Sequence, residues 1–182
     1  MDIKVINNLS EIIRMPNIIF IHGLESSGQG FKGQFFRKVL PGILTPDFRA
    51  YHPDITYNAL LIERMAQLYT ILEDKEKWII IGSSFGGLMG ALYSCQLPNK
   101  VSRLILLAPV LSTPHLDPKK FKPINIPVIV YHGKKDQIVP LKSSRLRAKK
   151  LFKNLTYNIV DDDHMLHSTV LEINWPQLTR ES

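Results

Sequence analysis

At 182 residues, 45% hydrophobic and 21% charged, the chain has the size and make-up of one globular domain over 1–182, and disorder along its whole length is excluded. A single cysteine, Cys95, excludes an internal disulfide framework and offers no metal-ligand spacing. The net charge of +7 gathers on Lys142, Arg145, Arg147, Lys149, Lys150 and Lys153, with Lys119, Lys120 and Lys122 just before; a solvated helix face is the expected reading, above nucleic-acid binding, since no nucleic-acid motif accompanies the charge.

In chain order, Ile3 to Ile6 has room for one short strand, and Ile18 to His22 reads as a buried one. A turn-rich loop covers 23–33, and a helical pattern over Phe31 to Leu40 ends at Pro41-Gly42. Phe48 to His52 suggests a short strand. Tyr57 to Leu72 is a helix with apolar residues at 60, 61, 65, 68, 71 and 72. Strands follow over Trp78–Ile81, Arg103–Ala108, Pro127–His132 and Thr156–Val160, with helices between most of them. Leu141, Leu146, Leu151 and Phe152 are the candidate buried stripe of the basic helix. Strand–helix alternation with near-continuous Ile/Val/Leu runs predicts an α/β fold, a mostly parallel sheet of about six or seven strands covered on both faces. No stretch approaches 18 apolar residues and no signal peptide opens the chain, so the expected residence is cytoplasmic, with no membrane contact.

Gly82-Ser83-Ser84-Phe85-Gly86 follows an apolar strand and precedes a helix of small residues. That is the setting of a nucleophile elbow, in which a serine sits on a strained turn with its hydroxyl exposed. Only Ser84 has glycine at both −2 and +2, and side chains at Gly82 and Gly86 would collide with the neighbouring strand and helix. An acid, Asp136, follows the strand ending at His132; a histidine, His164, follows the strand ending at Val160. Serine, acid and histidine in that order, each past the C-terminal end of a strand, bring a hydroxyl, a carboxylate and an imidazole to one sheet edge. His167 lies one helical turn too late to be the base, and Asp163 suits a cap on the helix that follows.

In these motifs, and in His22-Gly23, His52-Pro53-Asp54 and His132-Gly133-Lys134-Lys135-Asp136, the chain resembles the α/β-hydrolase superfamily, in its small esterase-like form, from about Asn17 to Ser168. The resemblance implies an α/β-hydrolase fold in which Ser84 is the nucleophile, His164 the base and Asp136 its orienting acid. It also implies an oxyanion hole from the backbone N–H groups of Leu24 and Phe85. The expected activity is carboxylesterase-like: hydrolysis of small soluble acyl esters through an acyl-enzyme, without metal or organic cofactor. Thioesters, amides and short peptides suit the same machinery, and a non-catalytic binding protein on this fold is the alternative from another class. The partner is a small acyl substrate, with self-association left open. Only 18 residues, Pro109 to Ile126, stand where many relatives insert a cap, so no cap domain and a shallow, open site are expected.

Overall fold

The computed structural model describes residues 16–180, so the strand expected over Ile3–Ile6 lies outside the described residues. Five strands form one sheet among them: β1 (Ile18–Ile21), β2 (Trp78–Ser83), β3 (Val101–Leu107), β4 (Val128–Gly133) and β5 (Leu155–Val160). They lie side by side in chain order, and all four pairings are parallel. The principal helices are α1 (Phe31–Val39), α2 (Tyr57–Leu72), α3 (Phe85–Gln96), α4 (Leu141–Leu151), α5 (His167–Glu172) and α6 (Trp175–Leu178). No helix among the described residues is long and apolar enough to cross a membrane.

Alternating strand residues face opposite layers, which is why the strands read as unbroken apolar runs. Ile19, Ile21, Ile80, Leu104 and Leu106 pack with Leu61, Met65 and Leu68 of α2, Leu88 of α3 and Leu151 of α4. Ile18, Phe20, Ile79, Ile81 and Ile105 pack on the other side with Phe36 of α1, Val170 of α5 and Trp175 of α6. The segment from Pro109 to Ile126 holds one short 3-10 turn, Pro114–Leu116, and no cap domain.

Two expectations need correction. Phe48–His52 is irregular chain and adds no strand to the five of the described sheet. The edge of β1 gains only an isolated parallel bridge from Ile19 to Leu44, and Pro46 ends it. Phe48 then donates its N–H to His22 Nε2 at 3.0 Å, so that group serves no strand. Finally, the buried stripe of α4 is Ser144, Ala148 and Leu151, while Leu146 is 54% exposed. Small residues let α4 approach closely enough for the Ser144 hydroxyl to donate to Pro109 O at 3.0 Å.

Candidate active site

Ser84 stands between the last residue of β2 and the first of α3, with φ 54° and ψ −112°. A non-glycine residue in this conformation is strained and persists only where its surroundings hold it. Here they do: Ser84 N–H donates to Leu107 O at 2.9 Å, and its carbonyl accepts from Val110 and Leu88, each at 3.2 Å. The turn also needs room. A Cβ on Gly82 would stand 2.5 Å from Gly86 O, and one on Gly86 would stand 2.1 Å from Ile21 O. The two glycines therefore let α3 leave the strand abruptly and pass directly against β1.

The loops after β4 and β5 are joined edge to edge. Lys134 N–H donates to Val160 O at 2.9 Å and Lys135 N–H to Asp162 O at 3.1 Å. A side chain at Gly133 would meet Asp162 O at 2.3 Å, so the close approach depends on that glycine. This junction brings Asp136 to His164. His164 Nδ1–H donates to Asp136 Oδ2 at 2.8 Å, and His164 Nε2 lies 3.0 Å from Ser84 Oγ. Since an ionised carboxylate only accepts, the proton sits on Nδ1 and Nε2 is free to accept from the serine.

The Asp136 side chain is fully buried. Burial works to raise its pKa, but donation from Val139 N–H, His164 and Ile138 N–H outweighs it and holds the carboxyl below its ordinary value. A second buried imidazole shares it: His132 Nε2 is 3.1 Å from Asp136 Oδ2 and 3.1 Å from Val139 O, while its Nδ1 is 2.7 Å from the Tyr157 hydroxyl. Burial lowers the His132 pKa, so this ring is neutral and donates through Nε2. Asp162, rather than Asp163, ties down the next helix, accepting from Thr169 N–H at 2.9 Å and Thr169 Oγ1–H at 2.8 Å. Asp163 accepts from Met165 N–H at 2.8 Å and closes a local turn instead.

The loop after β1 runs beside the serine, where a Cβ on Gly23 would lie 3.6 Å from Ser84 Cβ. His22 Nδ1–H donates to Gly23 O at 2.8 Å, and burial keeps this ring neutral by lowering its pKa. Arg64 of α2, with no exposed surface, makes the larger contribution. It donates to Arg49 O at 2.7 Å, Gly23 O at 3.2 Å and Leu24 O at 2.9 Å, and its guanidinium lies 5.2 Å from the Phe85 ring centroid. By holding two successive carbonyls toward its buried guanidinium, it fixes the peptide planes next to Ser84. The sequence carried a signal for it: Arg64 falls on the apolar face of α2, between Leu61 and Leu68. Phe85, as the first residue of α3, has an N–H with no acceptor one turn earlier in the helix. Leu24 and Phe85 border the same cavity as Ser84 and His164.

A family model described as the alpha/beta hydrolase fold matches residues 16–123. The chain belongs to this family. The match includes Ser84 and stops short of Asp136 and His164. No curated protein matches the sequence. Among solved structures, an alpha/beta-superfamily hydrolase from Xanthomonas campestris pv. campestris is similar at 22% identity and TM-score 0.74, over 87% of this chain and 92% of that one. Est1E from Butyrivibrio proteoclasticus, solved with ferulic acid bound, is 17% identical with TM-score 0.70, over 91% and 90%. A Bacillus cereus carboxylesterase is 17% identical with TM-score 0.65, over 85% and 84%. At these identities the likeness is one of fold.

In this α/β hydrolase the serine opens into a cavity of about 810 Å³, lined among others by Leu24, Phe31, Lys32, Tyr57, Val110, Ile138 and His167. Its walls come from the loop after β1, the start of α1, Tyr57 and the loop before α4. His167 is a wall residue, its ring centroid 4.3 Å from that of Phe31. Among the described residues no group of three or more His, Cys, Asp or Glu is placed to hold a metal ion. Cys95 is half-buried in α3, and burial pushes its thiol up to about 12.

Lys32 is the unusual wall residue. It is only 9% exposed, and burial lowers its pKa to about 8 despite the fields of Asp163 and Asp162. A lysine with a folded pKa below its unfolded one makes the folded state bind fewer protons between the two values, so stability rises with pH across that window. The penalty is complete below about pH 8 and gone above the unfolded value of 10.5. Lys32→Met is therefore expected to stabilise the protein by on the order of 3 kcal/mol at pH 7, raising Tm by several degrees. The gain should shrink steadily from pH 8 to pH 10.5; thermal melts at three pH values check it, and a pH-independent difference would refute the charge argument.

Proposed function

We propose that this protein is a serine hydrolase of carboxylesterase type, acting on small soluble acyl esters. The observation that carries the reading is the continuous chain from Ser84 Oγ through both nitrogens of His164 to buried Asp136, opening onto a cavity of substrate size. Ser84 Oγ attacks the acyl carbonyl while His164 Nε2 takes its proton. The oxyanion that forms is held by the N–H groups of Phe85 and Leu24, each such donor contributing about 3–4 kcal/mol to the transition state. Collapse of the tetrahedral intermediate breaks the ester C–O bond, and the departing alcohol takes the proton back from His164. Water, deprotonated by the same imidazole, then releases the acid and frees the serine. Asp136 keeps the tautomer right and stabilises the imidazolium in both halves. The Bacillus cereus neighbour's name supports an ester substrate.

A fluorophosphonate probe should label the wild-type protein and leave Ser84→Ala unlabelled. Turnover of p-nitrophenyl acetate and butyrate should exceed that of the octanoate, and Ser84→Ala should lose at least about a thousandfold in kcat. An unlabelled wild-type protein without turnover on a panel of esters, thioesters and amides would mark a binding module instead.

A further inference from the structure

Lys32 combines features that a structural lysine does not need. It is the second residue of α1, it is more than nine-tenths buried, and it borders the same cavity as Ser84 and His164. An ammonium carries three N–H donors, and lysines are rarely buried unless paired. Among the described residues, none accepts a hydrogen bond from Lys32 or forms an ion pair with it. Its closest counter-charges, Asp162 and Asp163, act only through space, because both carboxylates are engaged elsewhere. Asp162 accepts from Thr169 N–H, Thr169 Oγ1–H and Asp163 N–H, and Asp163 accepts from Met165 N–H. The positive end of the nine-residue α1 adds to the field at this point. The only carboxylate lining the cavity is Glu25, and it is exposed. The cleft therefore carries on its wall one largely buried lysine with no hydrogen-bonded anion, bordering the cavity that Ser84 and His164 also border.

We propose that Lys32 is the specificity residue of this cleft, binding a carboxylate carried by the substrate, so that the preferred esters are monoanions rather than neutral molecules. The inference rests on the serine-hydrolase reading for its reaction but not for its binding. One ammonium flanked by a helix end matches a single negative charge, and a phosphate dianion would need further donors that the wall does not supply. Burial is what gives the contact weight: on the wall of a largely enclosed cleft a charged hydrogen bond is stronger than on the open surface. Neutral esters fill the cavity but leave that charge unmet. The +7 net charge of the chain favours the approach of anions as well.

The test uses pairs of esters that differ only in a carboxylate against its isosteric primary amide. On the leaving-group side these are 4-carboxyphenyl acetate and 4-carbamoylphenyl acetate. On the acyl side they are mono(4-nitrophenyl) adipate and its 6-amide. In the wild-type protein, kcat/KM should favour the carboxylate in at least one pair by about tenfold or more. Lys32→Met should bring that ratio close to one, and Lys32→Arg should keep part of it. A residue that merely braces the 162–163 loop would lower both members of a pair together and leave the ratio where it was. An unchanged ratio in Lys32→Met, or a wild-type preference for the amides in both pairs, overturns the proposal. Calorimetric titration of Ser84→Ala protein with 4-hydroxybenzoate and 4-hydroxybenzamide, and with adipic monoamide and adipamide, gives a readout free of catalysis and of the folding of any Lys32 variant. Tighter binding of a carboxylate there, by about tenfold, supports the site even if no ester is turned over, a result that would sink only the hydrolase reading; equal binding within both pairs overturns the site.

Discussion

Asp136→Asn should reduce kcat by about ten-thousand-fold on any ester the protein hydrolyses, with its fold intact. The reason lies in how the two carboxylate oxygens are used. Oδ1 accepts from Ile138 N–H and Val139 N–H, both at 2.8 Å, and these bonds fix which end of an asparagine side chain stays there. The amide oxygen takes the Oδ1 place, so the NH₂ must face His164 Nδ1 and His132 Nε2. A donor opposite Nδ1 forces the His164 proton onto Nε2, which then cannot accept from Ser84. His132 keeps Val139 O as an acceptor, so the second ring tolerates the change. Circular dichroism should stay close to wild type and unfolding should stay cooperative at neutral pH, with Tm lowered by the loss of the ionised carboxylate's contribution, while fluorophosphonate labelling slows in step with turnover. Activity within tenfold of wild type would show that Asp136 does not set the tautomer of His164.

The same carboxylate bears on acid stability. Its folded pKa lies below the ordinary 3.8, so its ionised form contributes stability that is complete above that value. The contribution is lost as the pH falls through the folded pKa. Asp136→Asn should therefore flatten the acid limb of the stability profile below about pH 4.

How far the site could be read from the sequence follows from what kind of order each residue obeys. Ser84, Asp136 and His164 lie one, three and four residues beyond the ends of β2, β4 and β5, and parallel strands put those ends on one edge. Recognising the strands was enough to bring the three together. Arg64 and Lys32 obey no such order. Each is a charged residue in an amphipathic helix, and what marks it is burial, which depends on the neighbours that the fold supplies. Phe48–His52 misled for a related reason: its composition suits a strand, but Phe48 N–H had already been claimed by His22 across 26 residues of chain. Leu146 misled because close packing of α4 was achieved with Ser144 and Ala148, leaving the larger side chain outside.

Gly86→Ala should abolish folding, although it adds a single methyl group. The new Cβ would be placed 2.1 Å from Ile21 O and 2.6 Å from His22 O, both backbone atoms of the central sheet or its immediate continuation. No rotamer relieves a Cβ contact, so relief must come from moving α3 away from β1. That motion would pull apart Ile21, Leu88 and Met89, which share one buried cluster, and would tilt the Ser84 turn as well. Loss of this kind exceeds the 4–5 kcal/mol that marks the extreme of single substitutions, roughly half or more of the stability of an ordinary domain. Gly42→Ala is the matched control: with φ +83° and nothing within 4 Å of the added methyl, it bears only the left-handed backbone strain of about 1–2 kcal/mol. Soluble yield and thermal unfolding should separate the two variants, with Gly86→Ala insoluble or molten and Gly42→Ala folded a few degrees below wild type. A Gly86→Ala protein that melts cooperatively and still takes the fluorophosphonate label would mean that α3 does not pass against β1 as closely as described, and the position of the Gly23–Leu24 loop beside the serine would lose its support.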